Sequence, residues 1–472
     1  MELTPSFRLL LQHFRPVFTA PSFRLFVLVI TGWALSCRHR YITECIFTAG
    51  QVGIGHWSCY HRFFSHYAWS LDGLCQILAQ QLIERFAPDG PIVLAGDDTL
   101  CRKRGLGLFG AGMHHDPLFS SKALKVFSWG HDWVVLALLV RLPRWAPSKV
   151  FALPLVFRLY VNHQGLAKGK KAKQTKNKRR HGGAKAAAAN KKKKKWRPAN
   201  PNHRTRPQLL VEMLHLLAGW FPQRQFVLCA DSAYGGRSVL GNLPANVDLI
   251  SQVHPQGVLY QPPPPPTGKR GARRKKGERL PGLPGWADDA ACPWQQLAFD
   301  QYGLHATLQV KVQRALYYKA GKDRLLTIIL TRDSTGKRPD HRFYCTRLDW
   351  SARDVLSAYA SRWALEVTFE GGKQVLGLED PANRLPKAVR RTAPLALVLY
   401  SLIVLWFDMV GQQWVRFPQR PWYRRKRESS FQDMVTTLRR KSWEEKLAEV
   451  VSPSGRYKKW LARVVEWAAR VG

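Results

Sequence analysis

Acidic residues are scarce in this sequence. Its 472 residues include 32 Asp and Glu against 74 Lys and Arg, which gives a formal net charge of +42. A surplus of this size makes a compact chain repel itself unless a polyanion is its usual partner. Because Lys and Arg bind the phosphate backbone, the composition predicts a nucleic-acid-binding protein and favours this interpretation over attachment to an anionic membrane surface.

Paired cysteine motifs are also absent. The eight cysteines stand at positions 37, 45, 59, 75, 101, 229, 292 and 345, and no two of them form a CxxC pair. In a chain of this length the pattern indicates reduced thiols rather than a disulfide framework or a zinc site. It therefore predicts a protein of the reducing cytoplasm.

Neither a targeting segment nor a membrane-spanning segment is expected. The N-terminal sequence MELTPSFRLLLQHFRP does not have the basic and then apolar order of a signal peptide. The strongest membrane candidate, residues 393–410, has an apolar run that ends at Asp408 and is shorter than the roughly 20 apolar residues that a spanning helix needs. We expect a buried helix there and no membrane partner.

The sequence does contain enough apolar residues, 45%, to bury a core of two or three structural units. The pattern of elements along the chain predicts a helical N-terminal region (1–88), a core of strands and helices that is expected to be catalytic (89–254 and 351–385), a β-rich insertion (255–350) and a helical, basic C-terminal region (386–472). Aromatic residues among Arg and His suggest that region 1–88 is a DNA-binding domain, and ordinary packing of a small helical bundle is the equal alternative. Within the core, residues 167–206 are rich in Lys and have almost nothing to bury. We expect a disordered arm there that binds the DNA backbone.

Two apolar, β-rich runs each stop at acidic residues. The run PIVLAGDD reaches Asp97 and Asp98, and the run QFVLCAD reaches Asp231. Strands that end on carboxylates deliver them to one edge of a sheet, where a divalent cation with oxygen ligands can bind. Because side chains alternate along a strand, Asp97 and Asp98 point to opposite faces, and the spacing leaves open which of them faces the cation.

A third acidic position lies in the stretch YASRWALEVTFEGGK. On one continuous helix, a single narrow face carries Tyr359, Arg362, Glu366 and Lys373. Such a polar stripe suits a metal ion and phosphates, although a solvated face with an Arg362–Glu366 ion pair has the same pattern. Glu370 lies on this face too and is an alternative to Glu366.

The spacing Y-x2-R-x3-E-x6-K in this stretch resembles the signature of a large group of bacterial insertion-sequence transposases of the DDE class. The resemblance implies an acidic triad that holds Mg²⁺ or Mn²⁺, as two ions, and it selects the aspartate directly before Thr99. The implied metal ligands are Asp98, Asp231 and Glu366. The residues implied to hold DNA phosphates are Tyr359, Arg362 and Lys373.

This sequence departs from a regular helix at one point of that stretch. Gly371 and Gly372 are expected to weaken the helix just before Lys373.

The order of the predicted elements agrees with this family. It is three strands, a helix, two further strands, the insertion and a late helix, which is the order of an α/β, RNase H-like fold with a mixed sheet flanked by helices. The β-rich insertion precedes the last catalytic helix, and both terminal regions are helical. Because the three acids are far apart in the sequence, only tertiary folding can unite them.

We therefore predict an enzyme, a metal-dependent DNA transposase. It would bind the terminal inverted repeats of an insertion sequence, cut the DNA strands and join the freed 3′-hydroxyl to target DNA. It would act on double-stranded DNA as a homodimer that pairs two ends, in the bacterial cytoplasm at the nucleoid. Two alternatives are a nuclease of the same fold that cuts without strand transfer, and a domesticated relative that binds DNA without chemistry.

Overall fold

A mixed β-sheet runs through the centre of the computed structural model, which describes residues 2–52, 55–121, 123–141, 143–162, 203–265, 273–301, 304–333, 335–336, 338–418, 426–450 and 455–470. Within these residues the sheet has ten strands. They are β1 (Ile92–Arg102), β2 (Gly112–His115), β3 (Phe127–Arg141), β4 (Val150–Tyr160), β5 (Phe226–Ala230), β6 (Val247–Gln252), β7 (Gln295–Gln301), β8 (Leu304–Leu316), β9 (Leu325–Arg332) and β10 (His341–Cys345).

The first half of the sheet has the predicted topology. β1, β3 and β4 form an antiparallel meander with β3 in the middle, and the short β2 pairs with the start of β3. β5 pairs in parallel with the other side of β1, and β6 pairs in parallel with β5. The strand order β4-β3-β1-β5-β6, with helices on both faces, confirms the RNase H-like mixed α/β fold.

Helices cover the sheet and form both ends of the described chain. They are α1 (Pro5–Gln12), α2 (Ala20–Leu35), α3 (Ile42–Thr48), α4 (Ser58–Ser65), α5 (Leu71–Phe86), α6 (Arg206–Trp220), α7 (Arg237–Leu240), α8 (Leu283–Ala287), α9 (Tyr318–Gly321), α10 (Ala352–Ser361), α11 (Ala364–Gln374), α12 (Pro386–Met409), α13 (Phe431–Val450) and α14 (Gly455–Arg470). The assignment of DNA binding to α1–α5 stays a prediction.

Two helical layers determine the neighbours of β1. α6 lies against one face of the sheet, where a Cβ on Gly96 would come within 2.8 Å of Leu210. α10 lies against the other face, where Val355 shares a buried cluster with Val227 and Cys229 of β5. Because side chains alternate along a strand, successive residues of β1 face these two layers in turn.

The segment between β6 and α10 adds four strands to the same sheet. β10 pairs with β6, β9 with β10, β8 with β9 and β7 with β8, all antiparallel. These strands lie in residues 255–350, where the sequence predicts a β-rich insertion. They continue the core sheet and do not form a separate one.

β1 is longer than the sequence predicts. The apolar run indicates a strand that stops at Asp97 and Asp98, but β1 continues to Arg102. The reason is its long antiparallel partner, since β3 pairs with β1 up to the Arg102–Gly130 pair. The two acids therefore lie inside a strand, and the pleat holds their side chains on opposite faces.

Most of the predicted basic arm lies outside the described residues, which resume at His203. The last residues of the predicted arm belong to the start of α6. The Thr205 side chain accepts a hydrogen bond from the backbone N–H of Gln208 in a capping box, and Arg206 is the first residue of the helix. A capping box fixes the start of a helix, so these residues are part of the folded core.

The apolar run at residues 393–410 lies in a buried helix, as predicted for a core element. Among the described residues, α12 is the one helix that is long and apolar enough to cross a membrane by length and composition. Of its apolar window, 89% is buried inside the protein. Burial against other parts of the chain explains its apolar composition without a bilayer.

A buried ion pair fixes the loop that follows β1. Arg102 donates two hydrogen bonds to Asp116, from Nε to Oδ2 at 2.7 Å and from Nη2 to Oδ1 at 2.9 Å. The Asp116 side chain is 1% exposed. This two-pronged contact lowers the pKa of the Asp116 carboxyl to about 2.

Replacing Asp116 by Asn is expected to lower the free energy of unfolding at pH 7 by roughly 2 kcal/mol, because the amide cannot carry the charge that Arg102 pairs with. The folded-state pKa lies below the unfolded one, so this contribution is present above about pH 4 and is lost as the pH falls towards about 2. Urea denaturation of both proteins across this range should show the difference shrinking at low pH. A difference that stays constant with pH would contradict the ion-pair explanation.

Candidate active site

The parallel pairing of β1 and β5 brings two acids together. Gly96 of β1 pairs with Ala230 of β5, so Asp97 and Asp231 follow the last paired residues of two neighbouring strands. β5 ends directly before Asp231, as predicted. The Asp231 Oδ1 accepts hydrogen bonds from the backbone N–H groups two and three residues later, at 2.9 and 3.3 Å, and these bonds hold the carboxylate at the edge of the sheet.

The helix predicted over residues 359–373 is two helices, so the prediction of one continuous helix is wrong. α10 ends at Ser361 and α11 begins at Ala364. Between them the backbone N–H groups of Arg362 and Trp363 bond to carbonyls three residues back, and these tighter bonds replace the α-helical pattern and turn the chain. The break puts Glu366 in the first turn of α11, where the helix dipole favours a carboxylate.

The two glycines of this stretch do not interrupt α11. The helix continues past Gly371 and Gly372 to Gln374, contrary to the expectation from the sequence. A Cβ on Gly372 would lie 3.0 Å from the Leu397 side chain, and one on Gly371 would lie 3.2 Å from the Tyr400 ring. The missing side chains therefore allow α12 to pack closely against α11, and this packing compensates for the low helix propensity of glycine.

Arg362 links two of the acids. Its Nη1 donates a hydrogen bond to Asp97 Oδ2 at 2.6 Å, and its Nη2 lies 3.6 Å from Glu366 Oε1. The Tyr359 ring lies beside the same guanidinium, with 5.8 Å between the guanidinium carbon and the ring centroid. A carboxylate from β1 and one from α11 thus share a single cation.

Burial and mutual repulsion raise the pKa values of these acids. Burial raises the pKa of Asp97 to about 7; Arg362 opposes this shift, and the charges of Asp98 and Asp231 add to it. The pKa of Glu366 is also raised, mainly by burial, with Arg362 opposing and Asp231 adding to the shift. Acids that are shifted both by burial and by one another are typical of functional sites.

Asp98 points to the opposite face of the sheet. Its Oδ1 accepts a hydrogen bond from the phenol of Tyr234 at 2.5 Å, and its Oδ2 lies 3.3 Å from Nε of Arg206. Since Arg206 starts α6, Asp98 faces the α6 layer. Of the two aspartates that the sequence leaves open, the one on the side of the α11 carboxylate is Asp97.

A second acidic cluster, missed from the sequence, surrounds Asp98. Asp132 of β3 is 1% exposed, and its Oδ2 accepts a hydrogen bond from Nε of Arg206 at 2.5 Å. Burial, and then the charge of Asp98, raise the pKa of Asp132 to about 7. His114 Nδ1 lies 3.7 Å from the same carboxylate, and burial lowers the His114 pKa to about 4. A charged residue inside the apolar strand FSWGHDWVV was the available sequence signal.

The other two residues of the predicted phosphate-binding set lie on different elements. The Tyr359 ring packs against Phe343 of β10, with 4.8 Å between the ring centroids, and burial raises the pKa of its phenol to about 12. Lys373 Nζ donates a hydrogen bond to the Leu100 carbonyl of β1 at 2.8 Å. In this conformation Lys373 stabilises the strand that carries Asp97.

The carboxylates of Asp97, Asp231 and Glu366 are chemically suited to bind a divalent ion. In this structure they are too far apart to coordinate one together. Carboxylate oxygens are the ligands that Mg²⁺ prefers, and the Arg362 guanidinium shows that Asp97 and Glu366 accommodate a positive group between them. Among the described residues, no three His, Cys, Asp or Glu side chains lie close enough together to hold an ion. None of the eight cysteines, all of which lie in the described residues, pairs with another.

Comparison with known proteins identifies the family. The DDE superfamily endonuclease family matches residues 14–322. The chain belongs to this family. The match includes Asp97, Asp98 and Asp231 and ends before Glu366. Among solved structures, the cryo-EM structure of the piggyBac transposase synaptic complex with hairpin DNA is similar, with a TM-score of 0.36, 9% identity, and coverage of 98% of this chain and 81% of that chain. No curated protein matches the chain.

Membership of the DDE superfamily endonucleases confirms the predicted class of enzyme. Endonucleases of this superfamily use divalent metal ions, which agrees with the carboxylate chemistry of the site. The roles of the individual residues stay predictions.

Tyr234 connects the segments of two acids, because it donates to Asp98 and follows Asp231 in the same turn. Tyr234 is 1% exposed, and its replacement by Phe is expected to lower the free energy of unfolding by about 1.5–3 kcal/mol, since a carboxylate loses its donor. Tyr41, which is 44% exposed, provides the control. Urea denaturation should show little change for Tyr41→Phe, and an equally small effect of Tyr234→Phe would contradict the importance of this hydrogen bond.

Proposed function

We propose that this DDE endonuclease is a transposase of the insertion-sequence group with the Y-x2-R-x3-E-x6-K spacing, and that it both cuts and joins DNA. The observation that carries the proposal is the contact of Arg362 with Asp97 and Glu366, together with the position of Asp231 at the end of the strand beside Asp97. Carboxylates from distant parts of the chain on one face of a sheet are what metal-assisted phosphoryl transfer requires. The family match supports the class of enzyme.

In this proposal Asp97, Asp231 and Glu366 are the ligands of Mg²⁺ or Mn²⁺. Two such ions, when bound, would activate the attacking water or 3′-hydroxyl and stabilise the leaving oxygen. The chain itself positions the carboxylates on β1, on the turn after β5 and on α11. The phenol of Tyr359, like that of any tyrosine at neutral pH, carries its proton and is able to donate a hydrogen bond to a phosphate.

The sequence pattern and the side-chain contacts favour different aspartates as the first ligand. Asp98 directly precedes Thr99, as in the family that the sequence resembles. Asp97 contacts Arg362 on the side of α11, whereas Asp98 contacts Tyr234 on the side of α6. We assign the role to Asp97 because an ion shared with Glu366 has to lie on the α11 side, and Asp98 is the alternative that the variants below test.

Glu366 is preferred to Glu370 as the third ligand. The Glu366 carboxylate faces Arg362. Glu370 is exposed and accepts a hydrogen bond from Gln374 at 3.1 Å. This contact supports a solvated position for Glu370, away from the acids of the sheet.

Double-stranded DNA, as transposon ends and as target, is the proposed substrate. The net charge of +42 favours binding to its phosphate backbone. Tyr359, Arg362 and Lys373 are the proposed phosphate contacts, and Lys373 would exchange its bond to β1 for a phosphate oxygen. Recognition of terminal inverted repeats, a homodimer assembled on DNA and action at the nucleoid of the bacterial cytoplasm complete the proposal.

Asp97→Asn and Glu366→Gln are expected to lower the rate of DNA strand cleavage at least about 100-fold, because a bound ion supplies several kcal/mol of transition-state stabilisation. Asp98→Asn and Glu370→Gln are matched controls on the same strand and the same helix, and each should retain most of the cleavage. The substrate is a labelled duplex from the DNA that flanks the gene, with Mg²⁺. Loss of cleavage in Asp98→Asn with an active Asp97→Asn protein would transfer the role to Asp98.

The products distinguish the three functions that the sequence leaves open. With a target plasmid present, a joined strand-transfer product supports the transposase. Cleavage without any joined product would indicate a nuclease. DNA binding that persists without cleavage in both Mg²⁺ and Mn²⁺ would indicate a binding protein and contradict the proposal.

A further inference from the structure

Arg362 stands where the acids need a cation. Its side chain is 15% exposed and contacts acids on two different elements, Asp97 at 2.6 Å and Glu366 at 3.6 Å. A planar guanidinium with five N–H donors is well suited to bridge two carboxylates. Its charge also offsets the repulsion between these acids, which would otherwise favour their protonation.

The guanidinium is incompletely satisfied in this position. Within the described part of the chain, Arg362 Nε is buried and has no hydrogen-bond partner. Arg158 provides a contrast, because it donates to Glu212, to Asp72 and to a main-chain carbonyl. Because one of its donors is unpaired, Arg362 gives up fewer hydrogen bonds on leaving its partners than an arginine bonded like Arg158 does.

The surroundings of Arg362 allow it to move. It lies in the link between α10 and α11, where it caps α10, so a change of its rotamer breaks no helical hydrogen bond. It also borders a cavity of about 210 Å³ whose lining includes Tyr359, Trp363 and Phe343. Asp333 and Arg338 line the cavity as one acid and one base. Its aromatic rings offer a favourable surface for a guanidinium that has left the carboxylates.

We propose that Arg362 is the resident counter-ion of the carboxylate site: it neutralises Asp97 and Glu366 before a divalent ion binds, and it swings towards the adjoining cavity when an ion takes its place. That the substrate is DNA rests on the proposed function. Since Arg362 and the ion compete for the same oxygens, the free protein binds the ion more weakly than its carboxylates alone would. A DNA phosphate that takes Arg362 as a partner removes this competition, so ion and DNA favour each other's binding.

The competition is measured without DNA, by titrating Mn²⁺ and following free Mn²⁺ by electron paramagnetic resonance. Arg362→Gln is expected to bind Mn²⁺ about fivefold or more tightly than the unmodified protein, because a competing positive charge is gone. Equal or weaker Mn²⁺ binding by this variant would overturn the proposal.

Two further variants make the result specific to Arg362. Arg206→Gln removes an arginine that pairs with acids on the opposite face, and its Mn²⁺ affinity should stay within about twofold of the unmodified value. A gain as large as that of Arg362→Gln would show a general effect of charge and overturn the proposal. Arg362→Lys keeps the charge but cannot bridge both carboxylates. It should therefore bind Mn²⁺ more tightly than the unmodified protein and less tightly than Arg362→Gln. If Arg362→Gln does not fold, an Mn²⁺ affinity of Arg362→Lys equal to that of the unmodified protein would overturn the proposal.

The reciprocal effect is measured on DNA. Fluorescence anisotropy gives the Kd of a 40-base-pair duplex with Ca²⁺ and with NaCl of equal ionic strength. Ca²⁺ should tighten DNA binding by the unmodified protein severalfold and by Arg362→Gln distinctly less, and an equal effect on both would overturn the coupling. The Mn²⁺ titration contains no DNA, so a failure to cleave or join DNA would contradict the proposed function and leave the counter-ion result intact.

Discussion

The parallel hydrogen bonding between β1 and β5 is the constraint on which the candidate site depends. Parallel neighbours need a crossover connection, and here the crossover contains α6, which packs directly on the sheet because Gly96 has no side chain to keep Leu210 away. The register of this pair sets Asp97 beside Asp231.

The alternation of side chains along β1 gives its two adjacent acids different surroundings. Asp97 faces the side of α10 and α11, where it shares Arg362 with Glu366. Arg362 in turn borders a cavity. Asp98 faces the side of α6 and a cluster that includes the nearly inaccessible Asp132. One strand thus contributes one carboxylate to the side of Glu366 and the next one to the side of Asp132.

Part of the positive charge of this chain holds its own fold together. Arg391 of α12 donates to main-chain carbonyls at the end of α4 and before α5, and Arg439 of α13 donates to carbonyls at the end of α2. Burial lowers the pKa of each of these two arginines to about 10. Lys311 of β8 likewise donates to three carbonyls at the end of α8. The basic composition predicts a nucleic-acid partner, but the most buried of these basic residues stabilise contacts between distant segments of the chain.

The sequence by itself determined the elements whose signals are local. Apolar runs and their breaks predicted strands of the sheet, and the end of one such run at Asp231 predicted the second acid. These signals depend on residues that are neighbours in the sequence, so they are recognisable without knowledge of the fold. The order of these elements along the chain agreed with an RNase H-like fold, and the strand pairing supplied their order within the sheet.

Tertiary structure alone decided the rest, because the remaining choices depend on partners that are distant in the sequence. The extension of β1 past its acids requires pairing with β3. The turn at Arg362 and Trp363 puts Tyr359 on a different helix from Glu366. The packing of α12 against α11 keeps α11 helical through Gly371 and Gly372. The sequence predicted that Asp97 and Asp98 lie on opposite faces of the sheet. It did not predict which of these faces is covered by the helix that carries Glu366. A strand pattern fixes alternation and carries no information on which helix will cover either side.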